Sequence, residues 1–209
     1  MDKRDKQLII NRYKERLNKF GVDIKTLASG NVKRQLIRYK ILSEVGIFNG
    51  SSILDLGCGF ADFYKFLKER GTSVDYTGYD ISPDFIKVCT EKFPEAQFNV
   101  KDIQTDRIVG EFDFIVASQV FNNKLTYDNN DNVIKDVLEK VYKVCSSRGG
   151  VAIDMLTHYV DFKEERLHYY SPEKIFKFCK TLTNRVVLRH DYPLFEFSIY
   201  LYKDFKSWA

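Results

Sequence analysis

The sequence predicts an α/β fold: a doubly wound, mostly parallel sheet with helices on both faces. Three observations carry that expectation. Seven short apolar runs that read as strands alternate with helical patterns along the 209 residues, the order that builds parallel sheets. The first run ends in a turn of small residues that opens a helix, Ile53-Leu54-Asp55-Leu56-Gly57-Cys58-Gly59-Phe60-Ala61-Asp62-Phe63. The last two runs, 185–189 and 195–202, are joined by a turn around Pro193 with no helix between them.

Taken in order, residues up to Phe20 carry Leu8, Ile9, Tyr13, Leu17 and Phe20 at helical spacing, and Gly21 can end that helix. A second helix is expected over 32–45, closed by Gly46. These two form an N-terminal unit, residues 1–46, ahead of one α/β domain over 47–209. Strands are expected at 53–56, 74–80, 96–100 and 111–121. The intervening helices fall at 63–69, 83–92 and 132–144, the second introduced by Ser82 and Pro83. Arg148-Gly149-Gly150 reads as a turn into a fifth strand that ends at Leu156. A helix over 172–179 precedes the two closing runs. No internal repeat or low-complexity segment interrupts the pattern.

Composition narrows the function classes. The hydrophobic share of 44% supports a sizeable core, and 33 basic against 29 acidic residues leave a net charge of only +4. Nothing in that balance marks a nucleic-acid surface. The opening Met1-Asp2-Lys3-Arg4-Asp5-Lys6 does not read as a secretory leader, and no run has membrane-span length. Cys58, Cys89, Cys145 and Cys179 are scattered without C-x-x-C spacing. That pattern predicts reduced thiols in a cytoplasmic protein and no metal site.

The glycine turn is where chemistry is expected. Gly57 and Gly59 carry no Cβ, so backbone and ligand can approach closely, and the helix that follows turns N–H groups toward the crevice. Two cofactors compete for such a turn. A dinucleotide fingerprint needs a glycine at its sixth position, where this chain has Asp62, whose charge would repel a pyrophosphate. The other pattern is an acid followed by G-x-G-x-G. Asp55, Gly57 and Gly59 match it, with Ala61 in place of the third glycine. In this the chain resembles the class I S-adenosylmethionine-dependent methyltransferases, whose cofactor brings a cationic end and no phosphate.

The resemblance spans roughly residues 35 to 203 and is strongest between Ile53 and Asp102. It implies a Rossmann-like, seven-stranded sheet whose closing strand pair is antiparallel, and leading helices that either fold over the cofactor or cover a sheet face. It also assigns the cofactor site. Asp80, roughly 20 residues beyond the glycine turn, would meet the ribose hydroxyls. The alternative is that Asp80 starts the turn before Ser82. Asp102 would accept from the adenine amino group, or it is a solvated loop acid, and Ile81 and Ile103 would flank the purine. Cys58 sits inside the turn. In the run around the fourth strand Asp113 is expected to be structural, while Ser118 and Gln119 emerge near the transferable methyl. Ala117-Ser118-Gln119-Val120 lacks the Asn/Asp-Pro-Pro-aromatic tetrad of enzymes that methylate nucleobase amines.

For the acceptor, His158 follows the fifth strand and is the first candidate for a base; the alternative is an ordinary loop histidine. His190 beside Asp191 is a second candidate, although neighbours on a strand point to opposite faces. Arg166, His168, Tyr169 and Tyr170 combine cationic and aromatic donors that could grip an anion, or they form a charged loop over packed tyrosines. Tyr170 and Lys174 have the Tyr-x-x-x-Lys spacing of short-chain dehydrogenases, but Pro172 between them marks a helix start. The run 128–132 is rich in oxygen ligands and reads as a helix-capping loop rather than an ion site. The expected activity is methyl transfer from S-adenosylmethionine, leaving S-adenosylhomocysteine, to a small polar or anionic acceptor, most plausibly at oxygen. A sugar, acid or phospho-type compound of a secondary or surface-polysaccharide pathway would fit. Other readings are a tRNA or protein methyltransferase, an NAD-dependent reductase and a non-catalytic cofactor-binding protein.

Overall fold

The computed structural model describes residues 1–204; the last five positions of the expected 47–209 domain lie outside the described residues. Three helices come first, α1 (Lys3–Phe20), α2 (Ile24–Leu27) and α3 (Val32–Ser43). The α/β unit follows: β1 (Ser52–Leu56), α4 (Asp62–Glu69), β2 (Asp75–Asp80), α5 (Pro83–Lys92), β3 (Gln97–Val100), β4 (Phe112–Ala117), α6 (Asn130–Val144), β5 (Cys145–Leu156), α7 (Pro172–Leu182), β6 (Arg185–Arg189) and β7 (Glu196–Tyr202). The sheet has seven strands in the order β3-β2-β1-β4-β5-β7-β6. Strands β1 to β5 pair in parallel, and β7 runs antiparallel to both β5 and β6.

The alternation of side chains across each strand builds two cores. Leu54, Leu56, Ile115 and Ile153 face α6 and α7, with Ile134, Val137, Leu138 and Ile175 opposite them. Ile53, Phe114, Val116 and Ala152 face the other way, onto Leu42 of α3, Phe63 and Phe66 of α4 and Ile86 of α5. Strand order reverses between β1 and β4, so a crevice opens at their carboxyl ends.

Two elements depart from expectation. The four-residue α2 is too short to show a periodicity in sequence. The glycine pair at 149–150 is no turn; β5 already begins at Cys145 and is irregular where it passes Phe112 to Phe114. A Cβ on Gly149 would lie 1.5 Å from the Asp113 carbonyl oxygen, so backbone contact rather than a bend demands glycine there. Asp113 anchors the same corner. Its carboxylate accepts from the Ser52 N–H (3.0 Å), the Ser146 hydroxyl (2.8 Å) and both arms of Arg148 (2.6 and 2.7 Å). The Arg148 guanidinium holds its pKa well below the usual carboxylate range.

The leading helices divide their work. α3 lies on a sheet face, locked by Arg38, whose Nε and Nη2 donate to the two oxygens of Glu196 on β7 at 2.7 and 2.8 Å. α1 lies across the crevice. Its buried Asp5 accepts from the N–H groups of Thr126, Tyr127 and Asp128 (2.8, 2.9 and 2.9 Å), and Tyr13 packs edge-on to Phe85 of α5. The oxygen-rich run before α6 serves as a cap: Asn129 Oδ1 accepts from Asn132 N, and Asn130 Oδ1 from Leu125 N. Among the described residues no helix is long and apolar enough to cross a membrane.

Candidate active site

The turn after β1 is tied to the end of β2 by its own backbone. Gly57 and Cys58 both donate to the Tyr79 carbonyl (2.7 and 3.0 Å), and Gly59 donates to Asp80 Oδ2 (3.0 Å). Gly57 has φ +66°, and a Cβ there would sit 2.6 Å from Val120 Cγ2. Ala61, in place of the third glycine, also takes a left-handed conformation (φ 56°) as the N-cap of α4. Cys58 is a buried free thiol in the turn wall.

Around this turn lies a cavity walled by Asp55, Gly57, Cys58, Gly59, Asp80, Ile81, Asp102, Ile103 and Ser118, all nine of the residues expected to hold a cofactor. Met1, Ile9 and Tyr13 of the N-terminal segment and Leu27 of α2 close it from above. Asp55 is buried and receives the Tyr76 hydroxyl; burial first, then the charges of Asp80, Asp154 and Asp62, push its pKa up to about 7. Burial likewise pushes Asp80 up to about 6, although the Ser82 and Gly59 amides pull it down. Asp154, under the floor, is pushed up to about 7 by burial and by Glu196. Buried carboxylates so close together raise one another's pKa and favour a cation nearby.

Asp80 starts the turn into α5, its Oδ1 accepting from Ser82 N (2.9 Å), and the same residue lines the cavity. Asp102 is 2% exposed. Its Oδ1 accepts from Gln104 N (3.1 Å) and its Oδ2 stands 3.6 Å from Lys6 Nζ of α1. Gln104 lines the same cavity; its Nε2 donates to Asp128 (3.3 Å), which leaves Oε1 buried with no donor among the described residues.

A second cavity of ≈ 270 Å³ adjoins the first, and the two share Tyr13, Leu27, Ser29, Gln119 and Asn123. Gln119 follows β4 in a left-handed conformation (φ 63°) that is costly for a residue with a Cβ. Asp154 holds it there, accepting from the Gln119 N–H at 2.7 Å and from the Ser118 hydroxyl at 2.8 Å. Arg166 and Tyr169 line the second cavity, positioned by a ribbon in which Lys124 N donates to Arg166 O (3.0 Å) and His168 N to Asn122 O (3.0 Å).

Residues 54–151 match the family model described as a methyltransferase domain. The chain is 36% identical over 157 residues to Rv1506c of Mycobacterium tuberculosis, which is named as a methyltransferase; the match covers 73% of this chain and 93% of that one. The chain belongs to the class I S-adenosylmethionine-dependent methyltransferases. Two solved structures share the fold at low identity. DesVI of Streptomyces venezuelae superposes with TM-score 0.68 at 14% identity, covering 87% of this chain and 97% of its own. An S-adenosylmethionine-dependent methyltransferase from Clostridium acetobutylicum gives 0.63 at 14%, covering 92% and 98%.

The cavity suits the methyltransferase cofactor. Its carboxylates complement a sulfonium and an ammonium group, and the orphaned Gln104 Oε1 offers an acceptor to an exocyclic amine such as that of adenine. The acceptor-side expectations divide. Tyr170 belongs to the first cavity and not the second: it is buried, and its hydroxyl donates to Phe121 O at 2.8 Å. His168 lines neither cavity, turned instead toward Asp131 Oδ1 at 3.4 Å.

The two histidines expected to act as bases also line neither cavity of this methyltransferase. His158 is drawn aside when its N–H pairs with the Tyr170 carbonyl (2.9 Å), and its ring lies edge-on to Tyr159, 3.9 Å from Glu173. His190 is exposed at the sheet edge, and its expected partner Asp191 is held by Arg189 at 2.8 and 3.1 Å. Sequence reasoning missed Gln104, Asn122 and Arg12.

Proposed function

We propose that this methyltransferase moves the methyl group onto an oxygen of a small polar or anionic molecule, of sugar, acid or phospho type. The observation that carries the reading is the second cavity, which sets arginines and amides among apolar residues and meets the cofactor cavity at Gln119. When bound, S-adenosylmethionine supplies a methyl on a sulfonium, open to in-line displacement. The residues supply placement. Asp55 and Asp80 set a negative field, Gln104 accepts from the purine edge, and Gln119 marks the wall where acceptor and methyl meet. No histidine stands among the residues lining the two cavities, which favours an acceptor oxygen that is already ionised and needs no base. Lys6 on Asp102 and Tyr13 over both cavities support α1 as a lid that lifts to admit ligands. The buried free thiols go with a reducing compartment, the cytoplasm.

Methyl-labelled S-adenosylmethionine, offered with hydroxy acids, di- and tricarboxylates, sugar phosphates, bulk tRNA and peptides, tests the reading. Label should pass to a small acid or phospho compound; a carboxyl ester would release it as methanol in mild alkali. Transfer to tRNA or peptide alone, or to nitrogen alone, would overturn it.

A further inference from the structure

We infer that the second cavity is an oxyanion site, in which Arg12 of α1 and Arg34 of α3 hold a carboxylate or phosphate group of the methyl acceptor and the Asn122 amide donates to it. The inference rests on the methyltransferase reading and names the chemistry of its acceptor. Four arginines line the cavity, Arg12, Arg34, Arg38 and Arg166, against two carboxylates, Glu164 and Glu196. Glu196 is taken by Arg38, whose Nη1 also donates to Ser29 O at 2.8 Å. Glu164 is taken by Arg166 at 2.6 Å. Among the described residues neither Arg12 nor Arg34 has a carboxylate within 4.0 Å, so two positive charges in this cavity are left without a counter-ion.

Arg12 is the telling one. Among the described residues its side chain bonds to a neutral acceptor, Asn123 Oδ1, at 2.8 Å. Burial, first, lowers its pKa from the ordinary value, and the charges of Arg166 and Arg16 lower it further against the opposing pull of Tyr13 and Glu164. A planar guanidinium with spare N–H groups, crowded by like charges, is suited to a bidentate oxyanion. Asn122 adds an independent sign. It is 4% exposed and its Oδ1 accepts from Leu156 N (3.0 Å), which fixes the amide orientation and leaves Nδ2 buried with no acceptor among the described residues. A buried donor without a partner is costly, and a ligand oxygen would satisfy it. Phe162 and Phe195, edge-on to each other on the wall, offer apolar surface to a short carbon skeleton. Asn123 and Tyr13 border both cavities, so an anion held by Arg12 lies beside the cofactor.

The full chain, with and without S-adenosylhomocysteine, is titrated with succinate, inorganic phosphate and the neutral analogue succinamide, read by calorimetry and by arginine side-chain Nε–H resonances. An oxyanion should bind and move the Arg12 resonance, with succinamide at least about tenfold weaker. Arg12→Gln should weaken oxyanion binding at least about tenfold, with partial recovery in Arg12→Lys. The exposed Arg34→Gln should weaken it about threefold and keeps the test open if the Arg12 variant fails to fold. Preference for phosphate points to a phospho-acceptor, preference for succinate to a carboxylic acid. Equal binding of succinamide, or oxyanion affinity unchanged in a folded Arg12 variant and in Arg34→Gln, overturns the site. If S-adenosylhomocysteine fails to bind while the oxyanion still depends on Arg12, the methyltransferase reading falls and the site stands. If it binds and the anion ignores Arg12, the reverse holds.

Discussion

The two cavities share the wall around Gln119 but are put together differently. The first draws on short windows of chain, the turn after β1 and the ends of β2 and β3, tied to one another by backbone hydrogen bonds such as those from Gly57 and Cys58 to Tyr79. The second draws on α1, α3, the segment after β4 and the ribbon around Arg166, pieces far apart in the chain whose side chains, such as Arg12 on Asn123, meet across it. The first is negative and its groups largely answer one another; the second keeps unanswered cations and a donor. A shared cofactor can be served by a fixed frame, whereas an acceptor site is free to vary by side-chain substitution on segments packed around that frame.

The largest expected effect tests whether the two halves are separable. Gly57→Val places a Cβ against Val120 in a left-handed backbone, and S-adenosylhomocysteine affinity should fall at least about 100-fold, close to 2.7 kcal/mol. Oxyanion titration of the same variant should stay near wild type; an equal loss there would merge the two regions into one.

Acidity sharpens the contrast next. Folded Asp55 has its pKa raised from 3.8 to about 7, so between those values the native chain holds a proton that the unfolded chain has lost. Native stability from this group is therefore fully present below about pH 4 and declines as pH rises toward about 7. A cationic cofactor favours the ionised carboxylate, so affinity for S-adenosylmethionine should rise about tenfold from pH 5.5 to 8. Asp55→Asn should reduce that slope in calorimetry and leave the share that Asp80 contributes near pH 6, and a flat wild-type profile would discard the electrostatic account.

The smallest effect lies on the shared wall. Gln119→Gly relieves a left-handed residue and should raise stability by up to about 1 kcal/mol in urea unfolding, while turnover drops several-fold. A variant that is more stable and equally active would mean that Gln119 positions nothing.

Legibility in the sequence followed the same division. That Asp55, the glycine turn, Asp80 and Asp102 would meet in one cavity could be read because each lies within a few positions of a strand end. The strands likewise showed as short apolar runs, since burial on both faces of a central strand leaves few polar positions along it. Arg12 and Arg34 could not be assigned, because what matters is the lack of a counter-ion after folding, and sequence adjacency does not encode a missing neighbour. Gln104 and Asn122 escaped for a related reason: an amide becomes informative only when burial fixes one end and strands the other. The glycine pair before Val151 was misread because glycine for a bend and glycine for backbone contact look alike in sequence. His158 and His190 follow strand ends as active-site bases often do, but the chain beyond β5 leads them away.

α1 touches both chambers through one residue, Tyr13, and its neighbours. With α1 acting as the proposed lid, whichever small molecule arrives first would settle this helix and so meet part of the ordering cost of the second arrival. Thermodynamic reciprocity then requires that each ligand tighten the other by the same factor, giving heterotropic cooperativity within one chain.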